Sequence, residues 1–214
     1  MRTVGELVGQ MRDGAREVLS LAFFYFAAIA AERLFVSRVA IFVGADAPAV
    51  LPLTAAIVLA AIVGFLLRPY LVYRFADDHG RRVTSDVMGT LAVAAPVVVI
   101  MARQFAAMLA GSLVAACALG YAGSAAHAGM ARKFGRSSGL PHAISVAYAV
   151  GVTMQLVNNV VVPGEVPSQF LFMVVDIAMI AMLHEQGDRW AATRRARAAA
   201  GIEPDADRHA STAE

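Results

Sequence analysis

The stretch VLPLTAAIVLAAIVGFLL, residues 50–67, contains no charged side chain and is long and apolar enough to form one transmembrane helix. We expect that helix to extend over residues 50–75. Segments of similar character predict five more spans, over 18–43, 83–102, 105–131, 142–162 and 167–184. None of these segments alternates as barrel strands do, and unpaired backbone in lipid is unfavourable. The predicted fold class is therefore an all-α, polytopic membrane protein with six transmembrane helices.

The composition supports a membrane protein. Hydrophobic residues make up 59% of the 214-residue chain and charged residues 16%, whereas soluble domains are nearer half apolar and a quarter charged. The net charge of +2 is too small to indicate direct binding of nucleic acid. Cys117 is the only cysteine, so no internal disulfide framework is expected.

Basic residues fall in every second gap between the apolar segments. Such loops stay in the cytoplasm during insertion, which predicts that both termini are cytoplasmic. We therefore expect the inner membrane of a bacterium, with the basic side chains at its anionic lipids. The basic gaps contain Arg2, Arg12, Arg16, Arg74, Arg81, Arg82, Arg132, Lys133, Arg136, Arg189, Arg194, Arg195, Arg197 and Arg208, whereas the other gaps contain Asp46, Arg103 and Glu165.

Three regions follow from these patterns. Residues 1–16 have apolar positions at helical spacing and predict an amphipathic helix in the interface. Residues 17–184 form the six-helix membrane domain, and residues 185–214 a basic cytoplasmic helix with a disordered tail. One alternative stays open at the start of the chain. Residues 18–31, with the sequence Ala28-Ile29-Ala30, also resemble a signal peptide that is cleaved near residue 30.

The fourth segment contains two rows of small residues at four-residue spacing. Such rows let helix backbones approach closely, so we expect this helix to lie in the interior of the bundle. The rows are Ala107, Gly111 and Ala115, and then Ala116, Gly120, Ser124 and Ala128.

The loop after the second span contains Ala76-Asp77-x-x-Gly80-Arg81-Arg82. A tight turn here predicts a positive φ at Gly80, with Asp77 accepting hydrogen bonds and Arg81 and Arg82 at the lipid headgroups. In sequence and position, this segment resembles the cytoplasmic loop signature of the major facilitator superfamily.

That resemblance implies one six-helix repeat, in which the first and fourth helices line a central cavity and the third and sixth lie outside. Complete transporters of the superfamily have two repeats that rock against each other. The chain is thus expected to pair with a copy of itself or with a partner, unless it is a truncated or repurposed repeat.

Charged residues within the first span are the leading site candidates. Glu32 and Arg33 lie near its middle, where a charge needs protein, water or a counter-charge around it. By the resemblance, Glu32 is the acid that carries a proton or couples a cation, and Arg33 contacts an anionic substrate. A structural role in ion pairs is the alternative. Asp176 on the sixth span is a candidate for such an ion pair or for a dimer contact.

Four polar residues complete the expected lining of the cavity: Tyr25, Tyr121, Gln155 and Asn158. The two amides have an alternative role, which is to hydrogen-bond helices together. The resemblance implies that His127 faces the same cavity, but because His127 is close to the cytoplasmic end of its helix, we expect it to be solvated.

The sequence thus predicts a gradient-driven or facilitated transporter of an unknown small solute, embedded in the lipid bilayer and assembled as a homo-oligomer or with a second six-helix repeat. An alternative is a membrane sensory domain that binds a ligand and is linked to a LuxR-type regulator. The sequence shows no ATP-binding loop, nucleophile elbow or zinc-ligand spacing, so we expect no enzymatic activity, cofactor or metal.

Overall fold

The chain folds into six long helices in a computed structural model that describes residues 9, 12–74, 78–135, 139–161 and 165–199. All regular structure within those ranges is helical. The principal helices are α1 (Ala15–Val43), α2 (Val50–Arg74), α3 (Asp78–Met101), α4 (Phe105–Phe134), α5 (Leu140–Val161) and α6 (Glu165–Ala199). Each of the six is long and apolar enough to cross a membrane, which confirms the all-α class and agrees with a multi-pass membrane protein.

The helix ends differ from the predicted spans where polar sequence continues a helix. We expected the third span to begin near residue 83, but α3 already begins at Asp78. Gly80 therefore lies inside a helix and does not form the predicted turn. Among the described residues, the only glycine with a positive φ is Gly44, which follows α1. Asp77 lies outside the described residues, whereas Arg81 and Arg82 lie in the first turns of α3.

The sixth helix does not end where its apolar segment ends. Its 35 residues are assigned as one helix from Glu165 to Ala199. Good helix-forming residues after position 185 explain this continuity, together with an exposed ion pair of 2.7 Å between Arg189 and Glu185. One compact unit of the chain nevertheless reaches Leu183, and a second begins at His184. Most of the predicted interfacial helix of residues 1–16, and the tail after Ala199, lie outside the described residues.

Helix α4 is at the centre of the bundle, as the small-residue rows predict. It has more buried residues than any other helix whose buried positions are described. Gly111, Ala115, Ala116, Gly120 and Ser124 are all buried, and only Ala107, in the first turn, is exposed. Helices α1, α2 and α3 all pack against α4.

The contact between α2 and α4 is a reciprocal glycine crossing. A Cβ added at Gly64 would overlap the carbonyl oxygen of Cys117, and a Cβ added at Gly120 would overlap the carbonyl oxygen of Ala61. Each glycine thus faces the backbone of the other helix, and the two backbones touch directly. In lipid, this close approach supplies the van der Waals energy that the hydrophobic effect supplies in water.

The contact between α1 and α5 has the same character. A Cβ added at Gly151 would lie 2.5 Å from the carbonyl oxygen of Ala22. The most extensive contacts in the bundle are those of α2 with α4, α3 with α4, α1 with α5 and α1 with α4. Exchanging the first three helices for the last three converts the α2–α4 pair into the α5–α1 pair and leaves the α1–α4 pair unchanged, whereas the α3–α4 pair would become α6–α1, which is not among the described contacts.

A polar contact joins α1 to the end of α3. The guanidinium of Arg38 donates hydrogen bonds to the carbonyl oxygens of Val99, at 3.2 Å, and Ala102, at 2.7 Å. Its central carbon also lies 5.8 Å from the centre of the Phe42 ring. The last carbonyls of a helix have no intrahelical donor, so Arg38 caps α3 and its charge complements the helix dipole there.

Candidate functional site

A groove of about 330 Å³ lies between α1 and α2, with α4 as its floor. Helical spacing explains the lining. Helix α1 contributes positions 24, 28, 31, 32, 35 and 36, α2 contributes positions 54, 57, 58, 61, 62 and 65, and α4 contributes positions 116, 119 and 120. These positions form one stripe on each helix. The small side chains of α4 leave the space that the groove occupies.

The groove is almost entirely apolar. Among its lining side chains, only Glu32 is ionisable, and Thr54 supplies the only hydroxyl. Glu32 is exposed and lies on α1. Its carboxylate makes no salt bridge or hydrogen bond with the part of the chain that the structure describes. The Thr54 Oγ1 is buried and also has no hydrogen-bond partner there. The accessible polar group of the groove is therefore the Glu32 carboxylate, since the Thr54 hydroxyl is buried.

His127 on α4 forms the centre of a second group of side chains, close to one end of the groove. Its Nε2 lies 3.2 Å from the hydroxyl oxygen of Tyr25, and its Nδ1 lies 2.8 Å from the carbonyl oxygen of Gly123. Because a carbonyl oxygen can only accept a hydrogen bond, Nδ1 carries the proton. In the neutral ring, Nε2 is then the acceptor for the Tyr25 hydroxyl.

Aromatic rings from two helices contact this imidazole, and a ring from a third helix packs behind them. The ring centres of Phe24, Tyr25 and Phe65 lie 5.9, 5.9 and 5.6 Å from the centre of the His127 ring, all in edge-to-face geometry. Tyr148 on α5 makes a similar contact with Tyr25 at 5.1 Å. We call these five residues the histidine cluster. Phe24 and Phe65 belong both to it and to the groove lining, so the two sites are adjacent.

Two of the predicted site residues belong to the groove or to the histidine cluster. Glu32 lines the groove, and Tyr25 belongs to the histidine cluster. The two residues are seven positions apart, which is two helical turns or about 10 Å along one face of α1. Arg33 is exposed and does not line the groove. Adjacent residues on a helix project about 100° apart, which explains why Arg33 faces away.

The other predicted lining residues lie away from the groove. Tyr121 is buried at 7% exposure, and Gln155 and Asn158 are buried at 4% and 1%. None of these three lines the groove. The Gln155 side chain donates to Asn159 Oδ1 at 3.2 Å and accepts from Asn158 Nδ2 at 3.4 Å. These two hydrogen bonds lie within α5, and the Oδ1 of Asn158 is buried without a hydrogen-bond partner among the described residues.

Asp176 is placed inside the bundle. Its side chain is fully buried, and neither carboxyl oxygen has a hydrogen-bond partner among the described residues. Its neighbours on α6, Phe172, Val175 and Met179, belong to the main apolar cluster. This position contradicts a dimer contact, because the carboxyl group does not reach the surface. It also does not form the predicted ion pair, since no salt bridge of Asp176 occurs within the described ranges.

Sequence reasoning underestimated His127 and did not find Thr54. The expectation of a solvated histidine is wrong, because His127 is partly buried and held by Tyr25 and Gly123. One signal was present in the sequence: Gly123 lies one turn before His127, within a helix of small residues, and leaves room for the Phe24 ring. Thr54 gave no signal, because a single threonine in an apolar span is common.

The described residues contain no group of three or more His, Cys, Asp or Glu side chains that could hold a metal ion. Comparison of the chain with family models, with curated proteins and with solved structures gives no match.

Proposed function

We propose that the protein is a gradient-driven or facilitated transporter of a small solute, built as one major-facilitator-like repeat. The observation that carries the proposal is the groove between α1, α2 and α4, in which the Glu32 carboxylate has no partner among the residues that the structure describes. A charge within a membrane span costs about 2.5–3.5 kcal/mol on insertion scales, so an unpaired one indicates a functional site.

The packing of the helices supports this proposal. The α2–α4 and α5–α1 pairs exchange when the first three helices are exchanged with the last three, and the α1–α4 pair maps onto itself, although the α3–α4 pair has no described counterpart. Nested three-helix repeats of this kind are found within each half of a major facilitator. The resemblance of the loop at Gly80, Arg81 and Arg82 to the superfamily's signature agrees in sequence, although here these residues begin a helix.

Transport by this mechanism needs two repeats that move against each other. We propose that a second copy of the chain supplies the other repeat, in a bacterial inner membrane with both termini in the cytoplasm. The distribution of basic residues supports this orientation.

Mass measurement of the full chain in lipid nanodiscs, followed by flux assays in proteoliposomes, tests the proposal. We expect a dimer, and a solute flux that follows an imposed gradient and falls at least tenfold in Glu32→Gln. Asp46→Asn is the matched control, because Asp46 is exposed and does not line the groove. A strict monomer, or equal flux in Glu32→Gln and the wild type, would contradict the proposal.

One observation favours a sensory domain as the second candidate. Helix α6 continues without a break into an exposed, arginine-rich segment that ends at Ala199. A continuous helix of this kind can connect a membrane site to a partner protein. Ligand binding without flux, together with loss of a co-purifying partner when residues 185–214 are removed, would favour this function over transport.

A further inference from the structure

We infer that the groove binds an amphiphilic organic cation, with its positive group beside Glu32 and its apolar part between α1 and α2. Only one part of this inference rests on the proposed function, namely that the bound cation is also the transported substrate. The binding site itself would serve a sensor equally well.

The apolar lining excludes strongly polar solutes. Apart from Glu32 and Thr54, the groove is lined by aliphatic, aromatic and glycine residues. A sugar or a zwitterion bound there would bury several hydroxyl or charged groups without partners, and each such group costs about 1–3 kcal/mol. An apolar molecular surface has no such penalty and gains from contact with Phe24, Phe35 and Phe65.

The charge of the groove selects the sign of the ligand. Glu32 is the only ionisable side chain in the lining, and it has no counter-charge among the residues that the structure describes. Arg33, the nearest cation in sequence, does not line the groove. A bound cation would therefore complete an ion pair that the protein alone leaves open, whereas an anion would meet a carboxylate of the same charge.

Two further features fit such a ligand. The end of the groove near Thr54 offers a ligand no accessible hydroxyl, because the Thr54 Oγ1 is buried, so this end suits an apolar group. At the other end, the faces of Phe24 and Phe65 suit an aromatic ring or a delocalised cation. The groove volume of about 330 Å³ is at the lower end of the range for sites that bind small molecules.

Binding of two isosteric ions of opposite charge tests the inference. Radiolabelled tetraphenylphosphonium and tetraphenylborate have similar shape and hydrophobicity, and empty nanodiscs measure their partition into lipid. We expect saturable tetraphenylphosphonium binding to the full chain in nanodiscs, and no saturable binding of tetraphenylborate. Glu32→Gln should weaken the cation binding at least tenfold, and Asp46→Asn should leave it unchanged.

A steric pair of variants separates the groove from the rest of the surface. Ile62→Trp fills the groove, whereas Val63→Trp adds the same bulk to a residue of α2 that is 57% exposed and does not line it. Only the first should abolish binding, with equal recovery of both variants in size-exclusion chromatography. Equal binding of both ions, equal binding in Glu32→Gln and the wild type, or equal loss in the two tryptophan variants would overturn the inference.

The same preparations distinguish failure of this inference from failure of the proposed transport. Specific binding of the cation without gradient-dependent flux supports the ligand class and contradicts the transporter. Gradient-dependent flux of a polar solute, with no binding of the cation, supports the transporter and overturns the ligand class.

Discussion

The hydroxyl oxygen of Tyr25 on α1 lies 3.2 Å from Nε2 of His127 on α4. The hydrogen bond joins two helices across 102 positions of the chain and lies among aromatic rings. It connects the two helices that also form one wall and the floor of the groove. A change at either residue should therefore affect the packing of these helices and the shape of the site.

Tyr25→Phe should destabilise the protein by about 0.5–1.5 kcal/mol, because it removes the hydroxyl that His127 accepts and keeps the ring. Tyr148→Phe is the matched control: the Tyr148 ring contacts Tyr25, but its hydroxyl makes no hydrogen bond within the described ranges. Denaturant titration in mixed micelles measures both. A double-mutant cycle with His127→Asn should give a coupling energy of similar size. Additive effects of the two substitutions would contradict a direct contact.

Gly64→Ala and Gly120→Ala should each destabilise the bundle by about 1–3 kcal/mol or more, because the new methyl groups overlap carbonyl oxygens of the facing helix. Gly187→Ala on α6 is the control, since nothing lies within 4 Å of an added Cβ there. This control should stabilise its helix by up to about 1 kcal/mol. Thermal unfolding followed by circular dichroism measures all three. Similar unfolding curves for Gly64→Ala and Gly187→Ala would contradict a direct backbone contact between α2 and α4.

Arg38→Gln should destabilise the protein by about 1–2 kcal/mol, because α3 loses the cation and a donor at its last carbonyls. Arg38→Lys keeps the charge and should recover part of that loss. Arg33→Gln is the comparison on the same helix. Arg33 is exposed and makes no polar contact with the described residues, so no loss of stability is expected. Chemical denaturation is the measurement, and equal effects at positions 33 and 38 would contradict the capping role.

Asp176→Asn should leave stability unchanged or raise it, because neither oxygen of Asp176 has a partner to lose within the described part of the chain. If the carboxylate instead forms an ion pair, the same substitution would lower the free energy of unfolding by several kcal/mol. If it forms a dimer contact, the substitution would reduce dimer formation. Unfolding and nanodisc mass, measured on the same sample, separate these results.

The predicted orientation can be tested with single cysteines in a Cys117→Ala background. Asp46→Cys and Arg103→Cys should react with a membrane-impermeant maleimide applied to intact spheroplasts. Lys133→Cys and Glu185→Cys should react only after the membrane is opened, because the basic segments are expected to be cytoplasmic. The reverse pattern would place both termini outside.

The number and approximate extent of the helices could be predicted from apolar length alone, since lipid requires it. The interior position of α4 was also predictable, because Gly111, Gly120 and the neighbouring small residues permit close contact. The ends of α3 and α6 were not, because polar residues such as those after Glu185 can continue a helix beyond the bilayer. Hydropathy detects the apolar span and not the end of the helix.

The site was predictable only in part. Glu32 is conspicuous because a charged side chain in an apolar span is energetically unfavourable and is usually functional or paired. Tyr25 lies on the same face of the helix. The cluster around His127 depends on which faces of four helices meet, and no local pattern contains that information. For the same reason, sequence alone could not show that Gln155 and Asn158 bond to each other and that Asp176 is buried.

The reciprocal crossing at Gly64 and Gly120 also has a genetic consequence. Every amino acid except glycine has a Cβ, so each missense change in either codon directs an atom at a carbonyl of the opposite helix. Even alanine is therefore not a conservative replacement at these positions, because the obstructing atom belongs to the backbone. In a saturation library, missense variants at these two codons should be strongly depleted, whereas the codon for Gly187 should accept many residues.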